Sequence, residues 1–153
     1  MEFSELTQLL AERGLTLTAA ESLTGGQFQT QLAATEAASD VYPGGFITYS
    51  SESKTQLLGV APKLIRQYGV VSNEVAQQMA IKAQDLAATD YAISFTGAAG
   101  PEALAGEPAG TVCIGLVGPN LQIAKKYYFE GEAKHVLAQT CEMGLTLIGE
   151  RLV

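Results

Sequence analysis

The sequence predicts an α/β fold, a single three-layer α/β/α sandwich built on a mixed, mostly parallel sheet. Two observations carry this. Short apolar and β-branched runs alternate with stretches of helical spacing along nearly the whole chain, the pattern of strands joined by helical crossovers. Near the C-terminal end, two strand-like runs flank Gly118-Pro119-Asn120, so one antiparallel pair is expected there. The chain has 153 residues, 47% of them hydrophobic. That suits one domain, residues 1–153, at roughly 100–200 residues per domain. No internal repeat, low-complexity run or linker divides it.

Phe3, Leu6 and Leu10 keep helical spacing, so a short amphipathic helix is expected over Glu2–Arg13, stopped by Gly14. Leu15–Ala20 reads as a strand. ESLTGG follows it, then a helix over Gly26–Ala34. Thr35–Gly45, with Pro43 and two glycines, reads as loop with one helical turn. FITY, residues 46–49, is strand-like in its β-branched and aromatic content. Ser51–Leu58 reads as a helix ending at Gly59, and Pro62 opens a further short helix to Gln67. Ser72–Ala88 is the clearest helix: Ser72 can cap it, and Val75, Met79, Ala83 and Leu86 share a face. Tyr91–Thr96 is a buried strand. Gly97–Gly110, with four glycines and two prolines, is a loop long enough to expect function from it. Strands over Thr111–Val117 and Leu121–Phe129 and a last helix from Glu132 to Arg151 complete the order. Leu137, Cys141, Leu145, Ile148 and Leu152 form that helix's apolar stripe.

Charge and composition exclude several functions. Nine Lys+Arg against sixteen Asp+Glu give a net charge of −7, which argues against nucleic acid as a partner, since such binding needs a basic stripe. A small phosphorylated ligand held by local donors stays open. Cys113 and Cys141 lie in apolar runs without CxxC spacing and read as core thiols of a reducing compartment. One histidine cannot build a His-rich zinc site. No signal peptide and no membrane-length apolar run is visible, so a cytoplasmic protein with no membrane contact is expected.

In open α/β sheets, ligands collect beyond the carboxyl ends of the strands. Three segments leave strands there: Glu21–Gly26, Ser50–Lys54 and Thr96–Pro101. In the first, Thr24-Gly25-Gly26-Gln27 fits a T-x-x-Q capping box, which gives Thr24 a structural task. Ser22, at the strand tip, is then either one more turn residue or a nucleophile, with backbone N–H groups near Gly25 and Gly26 available to an oxyanion or phosphate. No G-x-S-x-G and no Walker lysine accompanies it. A serine needs a base. Lys54 lies early in the helix after FITY, where the helix dipole and burial both favour the neutral amine while Glu52 opposes. An exposed surface lysine is the alternative. Tyr49, at the tip of FITY, either packs in the core or hydrogen-bonds the serine. His135 reads as solvated. The Thr96-Gly97-Ala98-Ala99-Gly100-Pro101 turn lets a ligand approach the backbone closely.

These segments, in this order, resemble the CinA C-terminal domain family, whose enzymes are nicotinamide mononucleotide amidases. The resemblance covers nearly the whole chain: TAAESLTGG (18–26), GGFITYSSESKTQLLGV (44–60), YGVVSNEVAQQMA (68–80), DYAISFTGAAGP (90–101) and EPAGTVCIGL (107–116). It implies an α/β/α amidase that converts nicotinamide mononucleotide to nicotinic acid mononucleotide and ammonia in pyridine-nucleotide salvage, without metal or cofactor. It places the family's catalytic serine, tyrosine and lysine on Ser22, Tyr49 and Lys54. Thr24, Gly25, Gly26, Thr96, Gly97 and Gly100 are the expected substrate-binding residues, with oxyanion donors from the backbone at Gly25-Gly26 or Thr96-Gly97.

The chain departs from the family in places. Leu23 stands where the family usually has cysteine, Ala103-Leu104 replace a glycine pair, and Glu107 replaces a lysine. Near residue 130 the family's Gly-Asp-Arg and Val-Arg become Gly131-Glu132-Ala133 and Val136-Leu137, so two arginines are missing. An arginine fork is the natural grip for a phosphate; Lys134 or Lys126 could supply only a point charge. The alternatives are therefore an amidase of altered specificity or a nucleotide-binding, regulatory module without activity. The family's partner domain would have to be a separate protein, and self-association as a homo-oligomer is open.

Overall fold

The computed structural model describes residues 1–153. A five-stranded sheet carries β1 (Leu17–Glu21), β2 (Phe46–Ile47), β3 (Tyr91–Gly97), β4 (Thr111–Gly118) and β5 (Leu121–Tyr128). Their spatial order is β2-β1-β3-β4-β5. β1 pairs in parallel with β2 and β3. The antiparallel pair expected at the end is the β4–β5 hairpin, turned by Asn120 at φ 57°. A second antiparallel pairing joins β3 to β4. Nothing in the sequence pattern predicts it; the loop after β3 reverses the chain without a helical crossover. β4 alone runs against the other strands, so the sheet is mixed with most strands sharing one direction.

Helices α1 (Phe3–Glu12), α2 (Gln27–Ala33), α3 (Ala38–Val41) and α7 (Ala133–Leu152) cover one face, and α4 (Ser51–Leu58), α5 (Pro62–Tyr68) and α6 (Asn73–Ala87) the other. Strand alternation sorts the core between them. Ile93, Phe95, Val112, Ile114 and Leu116 join Leu6, Phe28, Leu145 and Ile148 on the first face. Ala20, Ala92 and Val117 join Val75, Met79 and Ala83 on the second. The apolar stripe of α7 is buried as expected from Cys141 to Leu152, with Leu137 only partly covered.

The caps explain most boundaries. Ser50 Oγ accepts from Ser53 N at 3.1 Å and starts α4; Ser72 Oγ accepts from Val75 N at 3.2 Å and starts α6. Pro62 opens α5. The FITY strand is shorter than expected: only Phe46 and Ile47 pair, because β2 is an edge strand and the chain turns away at Thr48 toward the Ser50 cap. α2 departs further. Its N-cap is Gly26, and Thr24 makes no capping box; its Oγ1 is buried without a partner in the chain. Glu21 does the capping instead. Its carboxylate is fully buried and accepts from Phe28 N at 3.0 Å and Gln29 N at 2.9 Å. A negative group suits the positive end of that helix.

Candidate active site

The site forms where three chain segments leave the same end of the sheet. β1 ends at Glu21, and Ser22 is held at its tip by a bond from its N–H to the Phe95 carbonyl of β3, 2.9 Å long. β2 ends one strand over, and α4 leaves it with Lys54 in its first turn. The four-carbon stem of Lys54 runs inward; the residue is 1% exposed and Ser22 6%. Lys54 Nζ lies 2.8 Å from Ser22 Oγ, 2.8 Å from the Thr48 carbonyl and 3.3 Å from the Ser50 carbonyl.

As the bonds lie, Nζ donates to all three partners, and the Ser22 hydroxyl donates to the main-chain carbonyl of Tyr49. An uncharged amine keeps two N–H groups for the two carbonyls, and its lone pair can take the serine proton once that hydroxyl turns from the Tyr49 carbonyl to Nζ. Burial pushes the Lys54 ammonium down from 10.5 to about 8, while the Glu52 carboxylate pulls it back up. Lys54 is therefore buried against Ser22, and the surface-lysine alternative falls.

Tyr49 corrects the expectation of a phenol bonded to the serine. Its main-chain carbonyl accepts from Ser22 Oγ at 3.2 Å, and its ring is 72% exposed. The ring stands at the mouth of the cleft, and its hydroxyl has no bond to the pair.

Above Ser22 lies a cleft of ≈ 620 Å³, within the usual range for small-molecule sites. Ser22, Leu23, Tyr49 and Ser50 form one wall; Gly97 to Leu104 form the other. Gly97 and Gly100 are thus where the sequence places them, in the cleft. A Cβ on Gly97 would meet the Thr111 carbonyl at 2.7 Å, so the end of β3 needs glycine to lie this close to β4.

The remaining expected binding residues lie elsewhere. Thr96 Oγ1 donates to the Val70 carbonyl at 2.6 Å and pins β3 to the segment before α6. Gly25 and Gly26 (φ 56° and 106°) line a separate hollow beside Tyr42 and Ile47. The N–H of Gly25 is taken by the Ser22 carbonyl at 3.1 Å. The donors left without an acceptor in the chain at this turn are those of Leu23, Thr24 and Gly26. Lys126, one candidate replacement for a missing arginine, is bonded to Glu107 at 3.0 Å.

Sequence reasoning missed Glu102, Ala103 and Leu104 as cleft walls, and singled out neither Leu23 nor Ser50, although both lie in segments it placed at the strand tips. Only the length and glycine content of 97–110 signalled residues 102 to 104. It also missed the Ser50 carbonyl, although an i,i+4 relation to Lys54 puts it within reach. Both cysteines are buried and free, with burial pushing Cys113 up to about 11 and Cys141 up to about 12, which leaves them inert as thiols. No helix is long and apolar enough to cross a membrane.

Fold and site together define a mixed-sheet α/β domain with a buried serine–lysine pair in a strand-tip cleft. Residues 3–152 match the model of the CinA C-terminal domain, and the chain belongs to that family. It is 53% identical over 113 residues to a competence-damage inducible protein of Limosilactobacillus fermentum, covering 74% of this chain and 27% of the relative. A protein of the same description from Listeria monocytogenes is 41% identical over 154 residues, 99% of this chain and 37% of its own. The chain thus spans about a third of the length of these curated relatives. Among solved structures, a competence-damaged protein (CinA) superfamily protein from Escherichia coli superimposes with TM-score 0.93 at 35% identity, covering 95% of this chain and 86% of that one. The competence or damage-inducible protein from Enterobacter asburiae gives 0.94 at 32% identity, with 100% and 99% covered.

Proposed function

We propose that the protein is a serine–lysine amidohydrolase that deamidates nicotinamide mononucleotide to nicotinic acid mononucleotide and ammonia. The 2.8 Å approach of Lys54 Nζ to Ser22 Oγ carries this reading; the family resemblance supplies the substrate. Neutral Lys54 takes the hydroxyl proton as Ser22 Oγ attacks the carboxamide carbon. The carbonyl oxygen becomes an oxyanion, and the acceptor-free N–H of Leu23, the residue after the nucleophile, is its natural donor, with Thr24 N–H beside it. Protonated Lys54 then returns its proton to the departing nitrogen, and ammonia leaves. Water, losing a proton to Lys54, attacks the resulting ester; Ser22 regains its proton as the acid departs. Nothing is consumed beyond amide and water. The exposed Tyr49 ring covers the bound pyridine from the cleft mouth.

The test is ammonia release from nicotinamide mononucleotide by the purified protein. Ser22→Ala and Lys54→Ala should each lower kcat by at least about 10³-fold, the scale of losing a nucleophile or its base. Equal turnover by either variant overturns the assignment. Stabilisation of the wild type by the nucleotide without any ammonia would favour a binding module instead.

A further inference from the structure

The cleft over Ser22 does not end at Pro101. Ala99, Gly100 and Pro101 also border a second hollow of ≈ 580 Å³, closed on its far side by Ala109, Gly131, Glu132 and Ala133. The shared residues make this hollow a continuation of the cleft, with room for the tail of a substrate whose amide lies at Ser22. The charged residues lining the two are Glu102 and Glu132, both carboxylates. No arginine or lysine lines either one. Lys54 lies beneath Ser22 with all three of its partners in place. Lys126 is held by Glu107, and Lys134 is exposed outside both linings.

One feature works the other way. The N-terminus of α7 opens on the second hollow, and the side chain of its N-cap, Glu132, accepts no backbone N–H. A helix end is worth roughly half a positive charge. Two whole carboxylates outweigh it, and a phosphate dianion without cation or guanidinium fork is poorly held there. A cationic ring over Ser22 is attracted by Glu102, the carboxylate of its own cleft.

We propose that this site reads the positively charged N-ribosyl pyridinium carboxamide of its substrate and gains nothing from a phosphate, so that the nucleoside is turned over as well as the nucleotide. This rests on the amidase reading and narrows its substrate class.

The test compares nicotinamide riboside with nicotinamide mononucleotide as substrates of the wild type, and as ligands of Ser22→Ala by calorimetry. The phosphate should raise neither kcat/KM nor affinity by more than about fivefold. Ala133→Arg should shift the preference toward the mononucleotide by about tenfold or more, the scale of one charge-assisted pair. A wild type that favours the mononucleotide more than about fivefold overturns the proposal, as does an Ala133→Arg variant with unchanged preference. If both ligands bind Ser22→Ala equally while the wild type cleaves neither, the inference about the tail holds and the amidase reading fails. If neither ligand binds, both fail together.

Discussion

Lys54 is the residue on which the proposed chemistry turns, and its burial gives two measurable consequences. The base must be neutral, and its ammonium titrates near 8. kcat/KM should therefore rise with pH, about tenfold per unit below that value, and level above it. Glu52 is the group that holds the value up, so Glu52→Gln should move this limb to lower pH. Stability follows the same titration. Folded Lys54 loses its proton more readily than unfolded Lys54, so its burial costs stability below about pH 8, and that cost is relieved as pH rises toward 10.5. The difference in unfolding free energy between wild type and Lys54→Met should grow in favour of the wild type by about 3 kcal/mol across this window. A flat difference by urea denaturation would show an ordinary, solvated lysine. Ser22 and Lys54 were legible as candidates, one at the tip of β1 and the other early in α4, but spacing alone left a surface lysine open and the family resemblance was what joined them. The contribution of Tyr49 was not legible. A tyrosine at a strand tip can turn its ring either way, and sequence does not record that its carbonyl, not its phenol, would meet the serine.

At the level of helices and strands, α2 is positioned by Glu21, and Ser22, the proposed nucleophile, is the next residue along. Glu21 is fully buried and accepts two backbone N–H groups. Glu21→Ala leaves those donors buried and unpaired, and should cost about 2–4 kcal/mol in denaturant unfolding. Thr24 is the residue that local pattern offers for this task, because T-x-x-Q is a capping motif. The glycines between strand and helix place the N-cap at Gly26 instead, and a carboxylate from the strand reaches over. A local pattern lost to a tertiary contact. The opposite held for α4 and α6, whose serine caps and glycine or proline boundaries are local and were readable residue by residue. α6 ends at Ala88 with φ 54°, a left-handed backbone that suits glycine. Ala88→Gly should stabilise the protein by about 0.5–1 kcal/mol once the greater freedom of the unfolded glycine chain is subtracted.

Across the whole molecule, the three layers hold the site by close approach of backbone to backbone. A Cβ on Gly115 in β4 would lie 2.5 Å from the Ala76 carbonyl of α6 and 2.6 Å from Ser94 Oγ. Gly115→Val should therefore pry α6 from the sheet and cost about 1–3 kcal/mol or more in unfolding experiments. The layer architecture was legible because period-2 and period-3.6 patterns alternate along the chain. The reversal of β4 was not, since a glycine- and proline-rich loop of this length can return a strand in either sense. The same loop forms the wall opposite Ser22, so fold and cleft share their least predictable segment. The proposed reaction passes through a covalent step at one side chain. The direct measurement is intact-protein mass spectrometry after rapid acid quench of wild type mixed with nicotinamide mononucleotide. An adduct equal to the substrate less ammonia, located by digestion to Ser22 and lost in Ser22→Ala, is the expected outcome. Ammonia formation at the wild-type rate by Ser22→Ala, with no adduct on either protein, would refute it.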